Sequence, residues 1–331
     1  MKKWIFAALL LLGMREGVFC SDYKVVNLST TKARPLALGG AFVSIEDDLA
    51  SLDFNPAAFS TNTQAEKITF SVFFNPLGPV LIKENWKSIS DLDVPIGWLV
   101  RGISLSLGKM HFGILWGEEL LFDASRLNRD RFFDGSQYNH QRNSSFGFSL
   151  AFAPRVSVGM AGELFIREEN NKKVLKLGYR YGVLLKPRKN LNVGLCFFDF
   201  PKPYQEDRMI VERLADETLN VGVSYSPWQP FTMAVDVRNV SDEGKGARRE
   251  PHMGVEIFPF RHLALRLGHY WEEGGKSKTL SFGLGLVDWN LLLPQDRRFS
   301  HATFGLNTTF LWERNKTEEN RWFFLSCIVR I

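Results

Sequence analysis

From residue 66 to residue 331 the chain repeatedly alternates large apolar positions with small or polar ones. In 110–116, Met110, Phe112, Ile114 and Trp116 share one face, and His111, Gly113 and Leu115 the other. In 146–152 the large face is Phe146, Phe148, Leu150 and Phe152, set against Gly147, Ser149 and Ala151. Leu175, Leu177, Tyr179, Tyr181, Val183 and Leu185 alternate with Lys176, Gly178, Arg180, Gly182, Leu184 and Lys186. Phe231, Met233, Val235 and Val237 do the same with Thr232, Ala234, Asp236 and Arg238. Successive side chains of a strand point to opposite faces, so a period of two predicts strands. Fourteen runs follow: 66–75, 97–108, 109–121, 144–153, 154–167, 173–187, 190–200, 217–227, 230–239, 250–259, 261–271, 277–288, 301–313 and 321–331.

An even number of strands of this length suits a barrel that crosses a bilayer at a tilt. The connections support it. Short turns such as Pro154-Arg155, Arg188-Lys189 and Trp228-Gln229 sit beside longer polar segments at 83–95, 122–143, 201–216, 240–249 and 289–300, the rhythm of short periplasmic turns and long external loops. Gly283 and Gly285, opposite Phe282, Leu284 and Leu286, mark the expected lumen side. The last run carries Phe323, Leu325, Cys327, Val329 and Ile331 on one face, which resembles the carboxy-terminal targeting strand of outer-membrane barrels with Ile in place of the usual Phe. A soluble sandwich also alternates, but its outer face is normally rich in Lys, Glu and Thr, whereas here the second face is often Gly, Ser or Ala. The expected fold class is an all-β transmembrane barrel of about 14 antiparallel strands with a short N-terminal helical hatch in the lumen.

Residues 22–65 do not alternate. Leu36, Leu38, Phe42, Ile45, Leu49 and Leu52 have helical spacing. Ser44 is a candidate N-cap for a helix with Glu46, Asp47 and Asp48 in its first turn, where the helix dipole favours acids. Gly39-Gly40 allows a sharp bend into that helix, and Asn55-Pro56 ends it. Such an amphipathic stretch ahead of the barrel is expected to fold into the lumen as a plug.

The order Ala33-Arg34-Pro35-Leu36-Ala37-Leu38-Gly39-Gly40-Ala41-Phe42-Val43, then Asp47-Asp48, then Phe54-Asn55-Pro56-Ala57-Ala58 resembles the amino-terminal signature of FadL-type outer-membrane barrels, closest to the PorV-like branch and related spirochaete proteins. The resemblance implies a hatch, with Gly39, Gly40, Asp47, Asp48, Asn55, Pro56 and Ala57 as its motif, plugging a barrel that handles hydrophobic molecules such as long-chain fatty acids. Past residue 60 no motif matches, so no ligand-binding residues carry over.

The leader sharpens this picture. Lys2 and Lys3 precede an apolar run from Trp4 to Leu12, too short to span a bilayer, and Val18 and Cys20 fit the −3 and −1 positions of a cleavage site. Alternatively Cys20 is the acylated first residue of a lipoprotein, with Phe19 before it a poor match to the small residue such sites prefer. The divisions are then residues 1–20 as signal peptide, 21–65 as hatch and 66–331 as barrel, exported to the outer membrane. Net charge is +5 and mean hydropathy −0.13, and no block of five basic residues occurs, so nucleic acid is not an expected partner.

No cofactor and no enzyme are expected. His111, His140, His252, His262, His269 and His301 form no metal-ligand spacing, Cys196 and Cys327 stand far apart, and there is no Walker loop, GxSxG or GxGxxG. His140 near Ser144 and Ser145 reads as a solvated loop residue, and Asp236, Arg238, Lys176 and Arg180 as lumen charges that pair with one another. Candidate ligand contacts lie in the loops, where Trp86, Arg126, Arg129, Arg131, Phe132 and Phe133 offer an apolar surface with a cationic anchor for a carboxylate. The expected function is hatch-gated passive uptake of a hydrophobic molecule across outer-membrane lipid. The rival is a non-transporting, PorV-like barrel that binds a protein partner in secretion or surface attachment.

Overall fold

The computed structural model describes residues 23–25, 31–47, 49–60, 68–76, 99–119, 141–169, 172–199, 218–228, 230–241, 249–260, 262–271, 277–287, 304–315 and 319–330. After a short strand, β1 (Tyr23–Val25), fourteen antiparallel strands follow one another around a single sheet: β2 (Ile68–Phe74), β3 (Val100–Leu107), β4 (Met110–Glu119), β5 (Gln141–Ala153), β6 (Val156–Glu169), β7 (Lys172–Arg188), β8 (Leu191–Asp199), β9 (Thr218–Trp228), β10 (Phe231–Arg238), β11 (Glu250–Phe260), β12 (Leu263–Trp271), β13 (Ser277–Val287), β14 (Phe304–Asn315) and β15 (Glu319–Arg330). Each predicted run corresponds to one of the fourteen. Antiparallel pairing of β15 with β2, Val329 opposite Phe74 and Arg330 opposite Phe73, closes the sheet into a barrel. β1 is additional and lies parallel to β15 along Arg321–Phe323. Three residues are too few to show a period, so the alternation does not predict it.

The alternation sorts side chains as the pattern requires. Met253, Val255 and Ile257 on β11 are exposed, while His252 and Glu256 on the same strand are buried. On β7, Leu175 (63% exposed), Leu177 and Tyr181 face out, and Arg180 and Leu184 face in. Phe282, Leu284, Phe310 and Trp312 continue the apolar exterior on β13 and β14. A closed sheet leaves no run of free backbone edge in hydrocarbon, and an apolar outer face is stable only against lipid. The protein is a transmembrane β-barrel of the outer-membrane kind.

Strand parity corrects one expectation. The connections β3–β4, β5–β6, β7–β8, β9–β10 and β11–β12 are short and lie at one end. The strand ends that flank 75–99, 120–140, 200–217 and 239–249 lie at the other. In an antiparallel meander every second pair of strand ends shares an end, so the end of β13 and the start of β14 lie with the short turns rather than with the long loops; residues 288–303 between them lie outside the described residues.

Candidate functional site: the segment inside the barrel

Residues 31–47 and 49–59 lie inside the barrel, nearly all buried. Their helical spacing is realised as two short helices, α1 (Ala33–Ala37) and α2 (Ser51–Phe54), with a 3-10 turn at Pro56–Ala58. The helix expected after Ser44 does not form. Ser44 stands in a turn, and α2 begins after Ala50, which makes no side-chain cap. The acids meant for its first turn are drawn elsewhere: Glu46 to Lys186 at 2.8 Å and Asp47 to Arg34 at 2.5 Å. Specific partners outweigh the few tenths of a kcal/mol to about 1 kcal/mol that a helix dipole supplies. Asp47 instead forms a bridge with Phe59, its N–H donating to the Ala58 carbonyl and its carbonyl accepting from Ser60 N–H. Asp48 lies outside the described residues.

Gly39 and Gly40 have φ of 62° and 78°, the left-handed region that glycine tolerates, so the bend is present, but it leads away from α1 rather than into a helix. Asn55 is extended (φ −155°, ψ 103°), as a residue before proline should be, and it ends α2. Its side chain does more than stop a helix. Oδ1 accepts from Ala57 N–H at 3.0 Å, and Nδ2 donates to the carbonyls of Val43 (2.7 Å) and Val183 (3.3 Å), tying two turns of the segment to β7.

The wall is shaped to receive this backbone. A Cβ at Gly159 would come within 2.4 Å of Pro56, one at Gly194 within 2.2 Å of Val43, and one at Gly268 within 2.0 Å of Gly39 N. The small lumen face read from Gly283 has the same cause: a Cβ there would lie 2.3 Å from Ala37 Cβ.

Polar ties run around the wall. Thr309 donates to the Ala33 carbonyl (2.5 Å), and Ser281 donates to that of Ala37 (3.1 Å) and accepts from Gly39 N–H (3.1 Å). His252 Nδ1 donates to the Gly39 carbonyl at 2.5 Å, which fixes the ring's tautomer with a proton on Nδ1, and Arg238 donates to the Gly40 carbonyl at 2.8 Å. Asp236 Oδ2 accepts from Phe42 N–H (2.6 Å) and Val43 N–H (2.9 Å). Ser224 donates to the Ser44 carbonyl at 3.0 Å. Opposite, Ser145 donates to Asp53 (2.7 Å), while Arg180 pairs with Glu163 and donates to the Leu52 carbonyl at 3.2 Å.

The most concentrated group joins α1 to β11 and β12. Arg34 forks onto Glu256, Nε to Oε1 at 3.0 Å and Nη2 to Oε2 at 2.7 Å, and sends Nη1 to Asp47. Arg266 Nε also donates to Glu256 Oε1, at 2.7 Å. Burial works against a charge on Arg34, but Glu256 and Asp47 outweigh it and hold the guanidinium above its ordinary pKa. It stays charged.

Apolar contacts complete the seat. Leu49, Leu52 and Phe59 pack with Phe73 and Leu115 of the wall, with Ile328 alongside. Leu38, Ala41, Phe42, Ile45 and Ala50 pack with Ala234 and Phe54, Phe42 meeting Phe54 edge-on at 5.2 Å. Ala57 and Ala58 rest on Leu184.

Of the residues singled out in the sequence, the structure brings together Gly39, Gly40, Asp47, Asn55, Pro56 and Ala57 in the lumen, with Asp236, Arg238 and Arg180 facing them. Trp86, Arg126, Arg129, Arg131, Phe132, Phe133 and His140 lie outside the described residues. Arg34, Asp53, Glu163, His252, Glu256 and Arg266 belong to the site without having been singled out for it. For the wall members the signal is present: Glu256 between Val255 and Ile257, and Arg266 between Leu265 and Leu267, are charges inside otherwise apolar runs. Among the described residues no group of three or more His, Cys, Asp or Glu is placed to hold a metal ion, and the charges named above engage in ion pairs and hydrogen bonds.

No protein-family model matches the chain, and no curated protein matches it. Among solved structures it is similar to the toluene transporter TbuX of Ralstonia pickettii, at 10% identity and a TM-score of 0.49 over 92% of this chain and 98% of that one. It is also similar to the toluene transporter TodX of P. putida (11%, 0.48, over 92% and 97%) and to a FadL homologue of Pseudomonas aeruginosa (8%, 0.47, over 92% and 96%). No residue roles pass across at such identities.

Proposed function

We propose that the protein lets hydrophobic small molecules cross the outer membrane passively, long-chain fatty acids being the first candidates from the amino-terminal resemblance, and that residues 21–65 act as its hatch. The proposed divisions are a leader at 1–20 and a barrel at 66–331, with Trp86, Arg126, Arg129, Arg131, Phe132 and Phe133 offered as the outer ligand contacts. The observation that carries the reading is how residues 31–59 are seated. A general porin keeps a polar, water-filled lumen, whereas this lumen holds an amphipathic segment resting on Leu49, Leu52 and Phe59 against Phe73 and Leu115. An apolar ligand can replace those contacts as the segment yields, and water cannot.

The number of polar ties favours a second reading, in which the segment stays shut and the long-loop end binds a protein partner in the PorV manner. Binding and transfer of a labelled long-chain fatty acid separate the two, measured on the refolded barrel with and without residues 22–60. Saturable binding, with transfer altered by the deletion, supports the transporter. Binding no better than that of an unrelated barrel in both forms removes fatty-acid uptake and leaves the partner role.

A further inference from the structure

We infer that the charge group Arg34, Asp47, Glu256 and Arg266 is a separable latch, built so that the lumen segment can leave its seat without stranding a buried charge. Two members belong to the segment and two to the wall. The segment half is bonded within itself, Arg34 to Asp47 at 2.5 Å, and so is the wall half, Arg266 to Glu256 at 2.7 Å. Each half is one guanidinium and one carboxylate, and therefore neutral. The Arg34–Glu256 fork crosses between them.

Breaking a buried ion pair is strongly unfavourable chiefly because one charge is left without its counter-charge. Here separation at the fork leaves each side with an intact pair. On β6 and β7 the Arg180–Glu163 pair is likewise complete within the wall, although Arg180 also crosses to the segment, to the Leu52 carbonyl and, at 3.9 Å, to Asp53. The Glu46–Lys186 pair does cross the interface, but it is the more exposed one, with side chains 18% and 29% accessible, where water can take over. A segment meant to stay permanently would gain from the opposite layout, with its charges neutralised only by the wall.

The latch rests on reading the segment as a movable hatch, and its test uses no ligand, so failure to bind fatty acid leaves it standing. The readout is amide hydrogen exchange across residues 31–59 in the refolded, full-length barrel, with the heat-dependent gel shift of a folded barrel as the check on the wall. Asp47→Asn makes the segment half positive, so release would strand Arg34. Exchange should slow by about tenfold or more. The double change Arg34→Met with Asp47→Asn removes the fork and keeps both halves neutral, and exchange should quicken by about tenfold or more.

A merely structural role predicts that both variants loosen the segment. Faster or unchanged exchange in Asp47→Asn therefore overturns the latch, as does unchanged or slower exchange in the double variant. If Asp47→Asn does not reach the folded form, Arg266→Met carries the same test from the wall side. It leaves Glu256 dependent on Arg34, slower exchange is expected, and any other result overturns the proposal.

Discussion

Asp236 offers the clearest single test of how the segment is held. Its carboxylate sits over Gly222, where a Cβ would come within 2.3 Å of Oδ1, and its Oδ2 takes the N–H groups of Phe42 and Val43 at 2.6 and 2.9 Å. Hydrogen bonds to a charged acceptor contribute roughly 1.5–3 kcal/mol each. Asp236→Ala removes two of them and leaves two backbone donors buried, so the gross loss is about 3–6 kcal/mol. Water entering the vacated space returns part of this, and a net weakening of about 2–4 kcal/mol is expected. Asp236→Asn retains an oxygen acceptor and loses the charge, so it should fall roughly midway. The strand pairs of β10 with β9 and β11 are backbone bonds and should survive either change. Protease sensitivity of residues 31–60, titrated with urea at concentrations the wall withstands, separates the segment from the barrel. If Asp236→Ala keeps the segment as protected as wild type, the two short bonds are not what secures Phe42 and Val43, and this account of the seat is wrong.

Gly268→Val sets a side chain on the Gly39 backbone, so the segment should become protease-sensitive in a barrel that still shows its heat-dependent gel shift, whereas unchanged protection would mean that the close approach is not real. Asn55→Ala deletes the bonds to Ala57, Val43 and Val183 and should weaken the segment by about 1–3 kcal/mol in the same urea titration. Phe282→Arg places a charge on the lipid face of β13 and should lower barrel stability by about 2–4 kcal/mol near the midplane, read as the guanidinium midpoint of refolding into vesicles; an unshifted midpoint would put that face elsewhere. Leu49→Ala should loosen the segment by about 2–4 kcal/mol and Lys186→Gln by at most about 1 kcal/mol, and the reverse order by proteolysis would show that ion pairs rather than apolar contacts carry the hold.

The barrel is readable from sequence because its signal is repeated. Each strand presents alternate residues to lipid, and Met253, Val255 and Ile257 announce β11 as plainly as Leu175, Leu177 and Tyr181 announce β7. What faces inward is read less easily. Gly, Ser, Asp and Arg all satisfy a lumen position, and which one appears depends on a partner far along the chain, as Glu256 depends on Arg34, 222 positions away. The lumen segment shows the same limit from its own side. Ser44 followed by three acids is a sound helix start in isolation, yet Lys186 and Arg34 claim Glu46 and Asp47, and the chain turns instead. Local propensity gives way where long-range charge pairs are available. The glycines are the legible part of the seat. Gly283 and Gly285 stand out in the sequence as small positions facing large ones, and the space they leave is taken by Ala37 at the first and by the Arg266 guanidinium at the second.

The two kinds of contact that seat the segment have different consequences for passage. Its hydrogen bonds and ion pairs exchange for bonds to water on release, so their net contribution is modest and their chief effect is to fix position: Asp236 can accept from Phe42 and Val43 in only one register, and Asn55 can bridge Val43 and Val183 in only one. The apolar clusters around Leu49 and Phe42 have no such replacement in water. Exposing them costs about 25 cal/mol per Å² of surface, and that cost remains until another apolar surface takes it up. Salt and polar solutes offer none. A hydrocarbon chain does, and in the proposed transport it would cover Phe73 and Leu115 while the neutral Arg34–Asp47 and Arg266–Glu256 pairs separate intact. If the segment is the hatch proposed above, a lumen organised in this way should resist the molecules a porin admits and yield most readily to a molecule that resembles its own buried face.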